Sequence, residues 1–403
     1  MTALVHELEL PLLDTIGMDR MDAVVAMEVA RSQHWLAKTQ MGYSVTHLED
    51  VTAILRDKRF HSALSVLPSM AGIDASDYAG RRRRSILSME GEEHARLRRL
   101  VAPAFTPASA NRLRPTMRAV VTELIDQIAG DGACEFVTDV CEPYPIPIIC
   151  ELLGAPRQDW KLFSSWATDI FRIFNGMLED DLPAIERAAG ELTEYVSAMV
   201  AERRAAPRDD LLSDLIAIEE EGDRLSTAEM TMLAEAVLMA GTDTTRNQLA
   251  CCIALFADHP EQWALLAERP ELAPRAVEES MRYLGAVRAT VRFASEDVVY
   301  RDVLFPQGTL VSVALYGANR DPDVWERPNE FDVTAERATA QMTFGSGIHF
   351  CLGAALARAE LQEALPLLAQ RMPGLALAGP VEWKPATFGI WGPARLPIRF
   401  ETT

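Results

Sequence analysis

From about residue 92 to 275, apolar positions recur at three- and four-residue spacing, the period of a helix with one face turned inward. Residues 94–105 (HARLRRLVAPAF), 111–130 (NRLRPTMRAVVTELIDQIAG), 182–206 (LPAIERAAGELTEYVSAMVAERRAA) and 210–221 (DLLSDLIAIEEE) all carry this pattern. The longest such run is predicted from about Ser226 to Asp258. Ser226 and Glu229 have capping-box spacing, and His259–Pro260 supplies a stop. At 1.5 Å per residue this is a rod of roughly 50 Å. A further helix follows over 271–285 (ELAPRAVEESMRYLG). The texture then changes to short alternating runs with turns over 291–321, a last long helix is predicted after Cys351, and residues 389–400 read as strand again. Near the N-terminus, residues 43–57 read as a strand followed by a helix that opens near Thr46. The expected fold class is therefore mainly α with a minor β portion. No repeat, low-complexity segment or long linker divides the chain. A single large domain over 1–403 is expected, with residues 1–30 as a lead-in and 31–403 as the body.

Composition narrows the function classes. The 403 residues are 49% hydrophobic and 24% charged, enough apolar material for a large core. Lys and Arg number 39 against 59 Asp and Glu, a formal net charge of −20. That excess argues against non-specific nucleic-acid binding, which needs a positive surface. The six cysteines (134, 141, 150, 251, 252 and 351) contain no CxxC pair, so the usual zinc and dithiol spacings are absent. No basic segment followed by an apolar run opens the chain, and no stretch approaches 18 uninterrupted apolar residues. The reading is a cytoplasmic protein with reduced thiols, no secretion signal and no membrane anchor.

The strongest chemical signal is the run Phe344-Gly345-Ser346-Gly347-Ile348-His349-Phe350-Cys351-Leu352-Gly353, with a predicted helix just after it. A lone cysteine is ordinarily a small buried residue. Here glycines let the backbone approach a flat ligand closely. The helix N-terminus offers N–H groups and a positive dipole end that favour a thiolate, a good axial ligand for haem iron. This segment resembles the haem-binding loop of the cytochrome P-450 superfamily, the haem-thiolate monooxygenases, in particular its soluble bacterial class. The resemblance implies heme b (iron protoporphyrin IX) with Cys351 as its proximal ligand. It also implies that Phe344 shields the sulfur, that His349 contacts a haem propionate, and that Gly345 and Gly353 shape the loop.

Other landmarks of that superfamily occur in order upstream. Ala240-Gly241-Thr242-Asp243-Thr244-Thr245 interrupts the longest predicted helix with residues of poor helix propensity. Gly241 is read as leaving room for a ligand, and the threonine hydroxyls as bonding back and opening the helix, as in a bulge. The resemblance assigns Thr244 to hydrogen-bonding the bound dioxygen and Asp243 to proton delivery, with Ala240 lining the pocket. Glu279-Ser280-Met281-Arg282 places an acid and a base on one helix face. It matches the family's ExxR ion pair, a brace for the cysteine loop. His94 and Arg98, four residues apart, and Arg292 match the family's propionate ligands. Asn319-Arg320-Asp321-Pro322 and Phe331-Asp332 are further matches, and the resemblance spans about residues 30–400. There are departures. Ala286 stands where a proline usually follows the ExxR helix, and Glu90-Gly91 replaces the common acidic-proline pair before His94. No arginine directly follows residues 331–334, Arg337 being the nearest, and Trp391 stands where an arginine is frequent.

The resemblance implies the reaction RH + O2 + 2 electrons + 2 protons → ROH + H2O on a small apolar or amphipathic substrate. Expected pocket residues are Ile86, Leu87, Val237, Ala240, the span Val287–Val291, Ile390 and Trp391, with Phe171, Ile173 and Phe174 on a lid. No flavin or nicotinamide fingerprint occurs, so electrons are expected from ferredoxin and ferredoxin reductase. Such donors are acidic, which points to a basic docking patch including Arg96, Arg99 and Arg112. The run Arg81-Arg82-Arg83-Arg84 is either a solvated loop or a contact for an anion. Alternatives are a haem-thiolate sensor without turnover, a peroxide-driven hydroxylase, which commonly has Arg-Pro in place of Asp243-Thr244, and an enzyme acting on carrier-bound substrates.

Overall fold

The computed structural model describes residues 2–70, 72, 76–172, 178–220, 225–385 and 390–402. Twelve helices carry the argument: α1 (Arg20–Gln33), α2 (Leu48–Arg56), α3 (Gly91–Val101), α4 (Pro107–Ile128), α5 (Pro145–Leu153), α6 (Trp160–Ile170), α7 (Leu178–Ala205), α8 (Leu211–Glu220), α9 (Thr227–Asp258), α10 (Pro260–Glu268), α11 (Ala273–Tyr283) and α12 (Ala354–Arg371). The helix expected to open near Thr46 begins two residues later, with His47 as its N-cap.

The central rod forms as its sequence dictates. The Ser226 hydroxyl accepts from the Glu229 N–H at 3.3 Å, and the Glu229 carboxylate accepts from the Ser226 N–H at 2.8 Å. Two orphan donors of the first turn are thereby satisfied. Helix α9 then runs through 32 residues and stops at His259, before Pro260 opens α10. Its second half is buried nearly all round, because α5, α6, α7 and α12 pack against it. Buried polar residues there are satisfied by fixed partners. Gln248 donates to the Leu284 carbonyl at 3.1 Å and accepts from the Ala286 N–H at 2.8 Å. That second bond needs an N–H at position 286, which the proline usual there would lack.

The β portion is led by a five-stranded sheet: β1 (Leu36–Thr39), β2 (Gly42–Val45), β3 (Phe60–Ser62), β4 (Ala289–Ala294) and β5 (Leu310–Ala314). Its order is β1-β2-β5-β4-β3, with β3 at one edge. The register sets Ser62 opposite Arg292. One large apolar cluster fills the helical body, and a smaller one, with Phe60, Phe305 and Val313, lies under the sheet. Near the C-terminus, Pro397–Arg399 pairs with Ala376–Leu377 and with Ala133–Glu135. Among the described residues no helix is long and apolar enough to cross a membrane.

Candidate active site

The cysteine loop is held by its own backbone and by α2. The Gly345 N–H donates to the Met342 carbonyl at 2.7 Å, and the Cys351 N–H donates to the Phe344 carbonyl at 3.0 Å. Gly347 has φ +72°, and a Cβ there would collide with the Leu55 carbonyl at the end of α2. Only glycine permits both the angle and the approach. Gly353 is the N-cap of α12. The ring of Phe344 is buried beneath the Arg358 guanidinium, 4.4 Å from the ring centroid, and Arg358 is paired with Glu278. Cys351 is half-buried. Burial pushes its thiol pKa up, against the opposing influence of the Gly353 N–H, Arg98 and Arg358. The helix N-terminus favours a thiolate, as expected, but desolvation outweighs it. A bound cation removes that penalty, since a coordinating thiol is deprotonated outright.

The predicted propionate ligands converge. His94 is buried on α3, with its ring 4.7 Å from that of His349. Burial, His349 and Arg98 push its pKa down to about 4, and its Nε2 has no hydrogen-bond partner among the described residues. Arg292 on β4 is buried and donates only to the Thr290 hydroxyl (3.0 Å) and the Val291 carbonyl (3.2 Å), with no ion-pair partner among the described residues. Burial brings its pKa down to about 10, with the Glu90 charge opposing. Arg98 donates to the Phe350 carbonyl. An orphaned buried imidazole nitrogen beside a buried, uncompensated guanidinium is a site for carboxylates, which fits the propionates of haem.

On α9, Ala240 is exposed in the middle of a largely buried helix, and Thr244, one turn on, is half-buried. This is the open face of α9. Thr242 and Thr244 bond back to the carbonyls of Leu238 (2.7 Å) and Ala240 (2.8 Å). The expected bulge is absent: α9 stays an unbroken α-helix through this segment, because the hydroxyls share carbonyls that the helical ladder already uses. Gly241 also needs correction as a ligand-facing residue. A Cβ there would come within 3.0 Å of the Ile149 side chain on α5, so the glycine makes room for helix packing. The Asp243 carboxylate is buried and ion-paired with Arg246, with Lys384 Nζ at 3.9 Å.

Sequence reasoning missed Glu360. It lies on the buried stripe Leu356-Glu360-Ala364 of α12, an acid at helical spacing among apolar residues and hence a legible signal. The Thr245 hydroxyl donates to its Oε2 at 2.9 Å, and the Tyr144 hydroxyl donates to its backbone carbonyl at 2.7 Å. Burial raises its pKa to about 8, with Thr245 opposing. The native state thus holds a proton that the unfolded chain releases above about pH 4.5, the ordinary value for a glutamate. This stabilisation is complete below that pH and is lost as pH rises through 8. Glu360→Gln is expected to flatten that part of the profile and to be the more stable form at pH 8 and above, as measured by chemical denaturation from pH 5 to 9. Parallel profiles would contradict the assignment.

The Glu279–Arg282 pair is buried. Arg282 donates Nε and Nη2 to the Glu279 carboxylate, each at 2.8 Å, and also reaches the carbonyls of Asn319, Pro328 and Glu330 at 2.8–3.1 Å. Arg337 reaches the same carboxylate at 3.0 Å, so it fills the place of the arginine missing after residue 334. Asn319 accepts from the Met342 N–H at 2.6 Å, at the mouth of the cysteine loop.

Other expectations fare unevenly. Trp391 is stacked on Trp383 at 4.4 Å and covered by Arg288 at 5.0 Å. It packs the C-terminal hairpin, with its ring held between these neighbours and the body. Ile390 pairs with Val287, and Val237 is buried. Ile86 and Phe171 are half-buried and Leu87 is exposed, whereas Ile173 and Phe174 lie outside the described residues. Arg99 and Arg112 are exposed, but Arg96 is ion-paired with Glu229. Of the arginine run, Arg83 and Arg84 are exposed and Arg81 is half-buried.

Comparison with known proteins agrees with this geometry. The Cytochrome P450 family model matches residues 33–372. Luteothin monooxygenase of Streptomyces thioluteus is 36% identical over 92% of this chain and 91% of its own. Nocardicin C N-oxygenase of Nocardia uniformis subsp. tsuyamanensis is 38% identical over 88% of each. Among solved structures, P450BioI in complex with a hexadec-9Z-enoic acid ligated acyl carrier protein has a TM-score of 0.87 at 31% identity, covering 94% of this chain and 99% of that one. CalO2 has a TM-score of 0.89 at 29% identity, covering 95% and 97%. The chain belongs to the cytochrome P450 family and is a haem-thiolate oxidoreductase.

Proposed function

We propose that the protein inserts one oxygen atom from O2 into a small apolar or amphipathic organic substrate, with electrons from ferredoxin and ferredoxin reductase. The observation that carries this reading is a glycine-shaped loop presenting Cys351, with the buried His94 and Arg292 left without a charged partner among the described residues; the open Ala240–Thr244 face of α9 is proposed to lie across the haem from it. Haem, when bound, supplies oxygen activation, and its thiolate ligand favours O–O cleavage. The residues proposed to hold it are Cys351 for the iron and His94, Arg98, Arg292 and His349 for the propionates. Phe344 covers the sulfur side.

On the open face, Thr244 is proposed to relay a proton. Its O–H donates to the Ala240 carbonyl, and the relay requires it to leave that carbonyl as its oxygen accepts from a neighbour. Asp243 is proposed as the acid behind it. Its carboxylate is tied to Arg246, with Lys384 as a second cation, so it stays compensated while exchanging partners. Exposed Arg99 and Arg112, with the exposed Ile348 and Phe350 of the cysteine loop, are proposed as the surface that receives an acidic electron donor. The relatives' names cover a range of natural products, including mycinamicin IV and 6-deoxyerythronolide B, which supports a substrate of that amphipathic kind.

The test is turnover with ferredoxin, ferredoxin reductase and NADPH or NADH, beside the same assay with hydrogen peroxide alone. Electron-driven, O2-dependent hydroxylation is expected. Product from peroxide alone, or substrate binding with no product, would replace this reading with one of its alternatives. Thr244→Ala is expected to keep substrate affinity while product per electron pair falls by about one to two orders of magnitude, the balance appearing as peroxide or water. Unchanged coupling would mean that another group delivers the proton.

A further inference from the structure

The pair Glu90-Gly91 keeps the acid of the family pattern noted above but replaces its proline, and the structure gives Glu90 work that its position does not suggest. It is the N-cap of α3, yet its side chain makes no capping bond to that helix. The carboxylate turns back instead. It accepts from the Ser62 N–H on edge strand β3 at 2.7 Å, and the same oxygen lies 3.1 Å from His349 Nε2 in the cysteine loop. Ser62 is the register partner of Arg292. One carboxylate thus joins the edge of the sheet, the start of α3 and the cysteine loop, beside the paired rings of His94 and His349 and close enough for its charge to act on both His94 and Arg292. Burial favours its neutral form, but the bonds from His349 and Ser62 outweigh that and hold its pKa below the usual range. Gly91 has φ +70°, an angle that the usual proline cannot adopt, so the departure from the pattern lies in Gly91.

We propose that Glu90 is a positioning residue of the haem cradle: it fixes the His349 ring for a propionate and places a third carboxylate beside the two that haem brings. The inference rests on the cradle assigned above. Two physical consequences follow. A partner that orients a ligand-contacting histidine governs retention of the group. A negative charge near the haem edge opposes adding an electron to the iron, and low dielectric strengthens that opposition.

The experiment uses the haem-loaded protein with Glu90→Gln and Glu90→Ala. It reads the midpoint potential of the one-electron ferric/ferrous couple and the rate of haem transfer to excess apomyoglobin. Glu90→Gln keeps the size and hydrogen-bonding capacity, so it is expected to hold haem nearly as well as wild type while its midpoint shifts to a more positive potential. Glu90→Ala also frees His349 and is expected to lose haem about tenfold faster. A midpoint in Glu90→Gln that stays put or moves negative overturns the proposal, as does a wild-type transfer rate in a folded Glu90→Ala. Should Glu90→Ala not fold, the glutamine variant decides alone. Arg292→Ala separates failure of the cradle itself: unchanged haem transfer there would remove Arg292 from the site, whatever Glu90 does.

Discussion

Cys351→Ser and Cys351→His are expected to abolish oxygen insertion while leaving the fold intact. The sulfur is half-buried at the edge of the main apolar cluster, and the turns of its loop are set by backbone bonds rather than by the side chain. The loop is shaped by the Gly345 and Cys351 N–H bonds and by the approach of Gly347 to Leu55. A serine oxygen or an imidazole nitrogen in that place lacks the soft anionic character that drives O–O cleavage, so a loss of several orders of magnitude in turnover is expected. Near-native far-ultraviolet circular dichroism together with absent product is the expected pair of readings. A variant that still hydroxylates substrate would show that the assignment of the proximal ligand is wrong.

The second large effect is on stability. Glu279→Ala leaves two arginines, Arg282 and Arg337, facing a vacated carboxylate site in a region where Glu279 and Arg282 are each at most 3% exposed. Breaking a buried pair by removing one partner costs ~3–5 kcal/mol, against a total stability of about 5–15 kcal/mol for an ordinary protein. Bonds from Arg282 and Arg337 outweigh burial and hold the Glu279 pKa below its usual range, so the pair's contribution is present near neutrality and is lost as pH falls through the acid range. Most of the expressed Glu279→Ala protein is expected to be insoluble or haem-free. Glu279→Gln, which keeps the hydrogen-bonding shape, is expected to be milder. An unchanged denaturation midpoint and haem content in Glu279→Ala would show that the three arginine-bonded carbonyls at 319, 328 and 330 suffice alone.

What the sequence revealed follows from how locally each feature is determined. The capping box at Ser226, the stop at His259–Pro260 and the glycine-cysteine loop are written in adjacent residues, and all form where expected. The proposed propionate cradle was legible only through resemblance, because His94, Arg292 and His349 come from three distant parts of the chain. Arg337 looked misplaced because linear position conceals the reach of a long side chain across a loop. The roles of Glu90 and Glu360 went unread for another reason: Glu90 stood out only as part of an altered pair and Glu360 only as an acid on an apolar stripe, while the partners that give them their roles lie 259 and 115 residues away. Gly241 and Trp391 show the opposite failing. Each stands at a position that suggests ligand contact, and each is committed to packing, by Ile149 in one case and by Trp383 and Arg288 in the other.

The central claim, that the Cys351 sulfur is the axial ligand of haem iron, is tested most directly by the absorption spectrum of the reduced protein under carbon monoxide. The account predicts a strongly red-shifted Soret band characteristic of thiolate ligation, lost in Cys351→His. A band at the position typical of histidine-ligated haem in the wild-type protein, or no haem taken up at all, would contradict it.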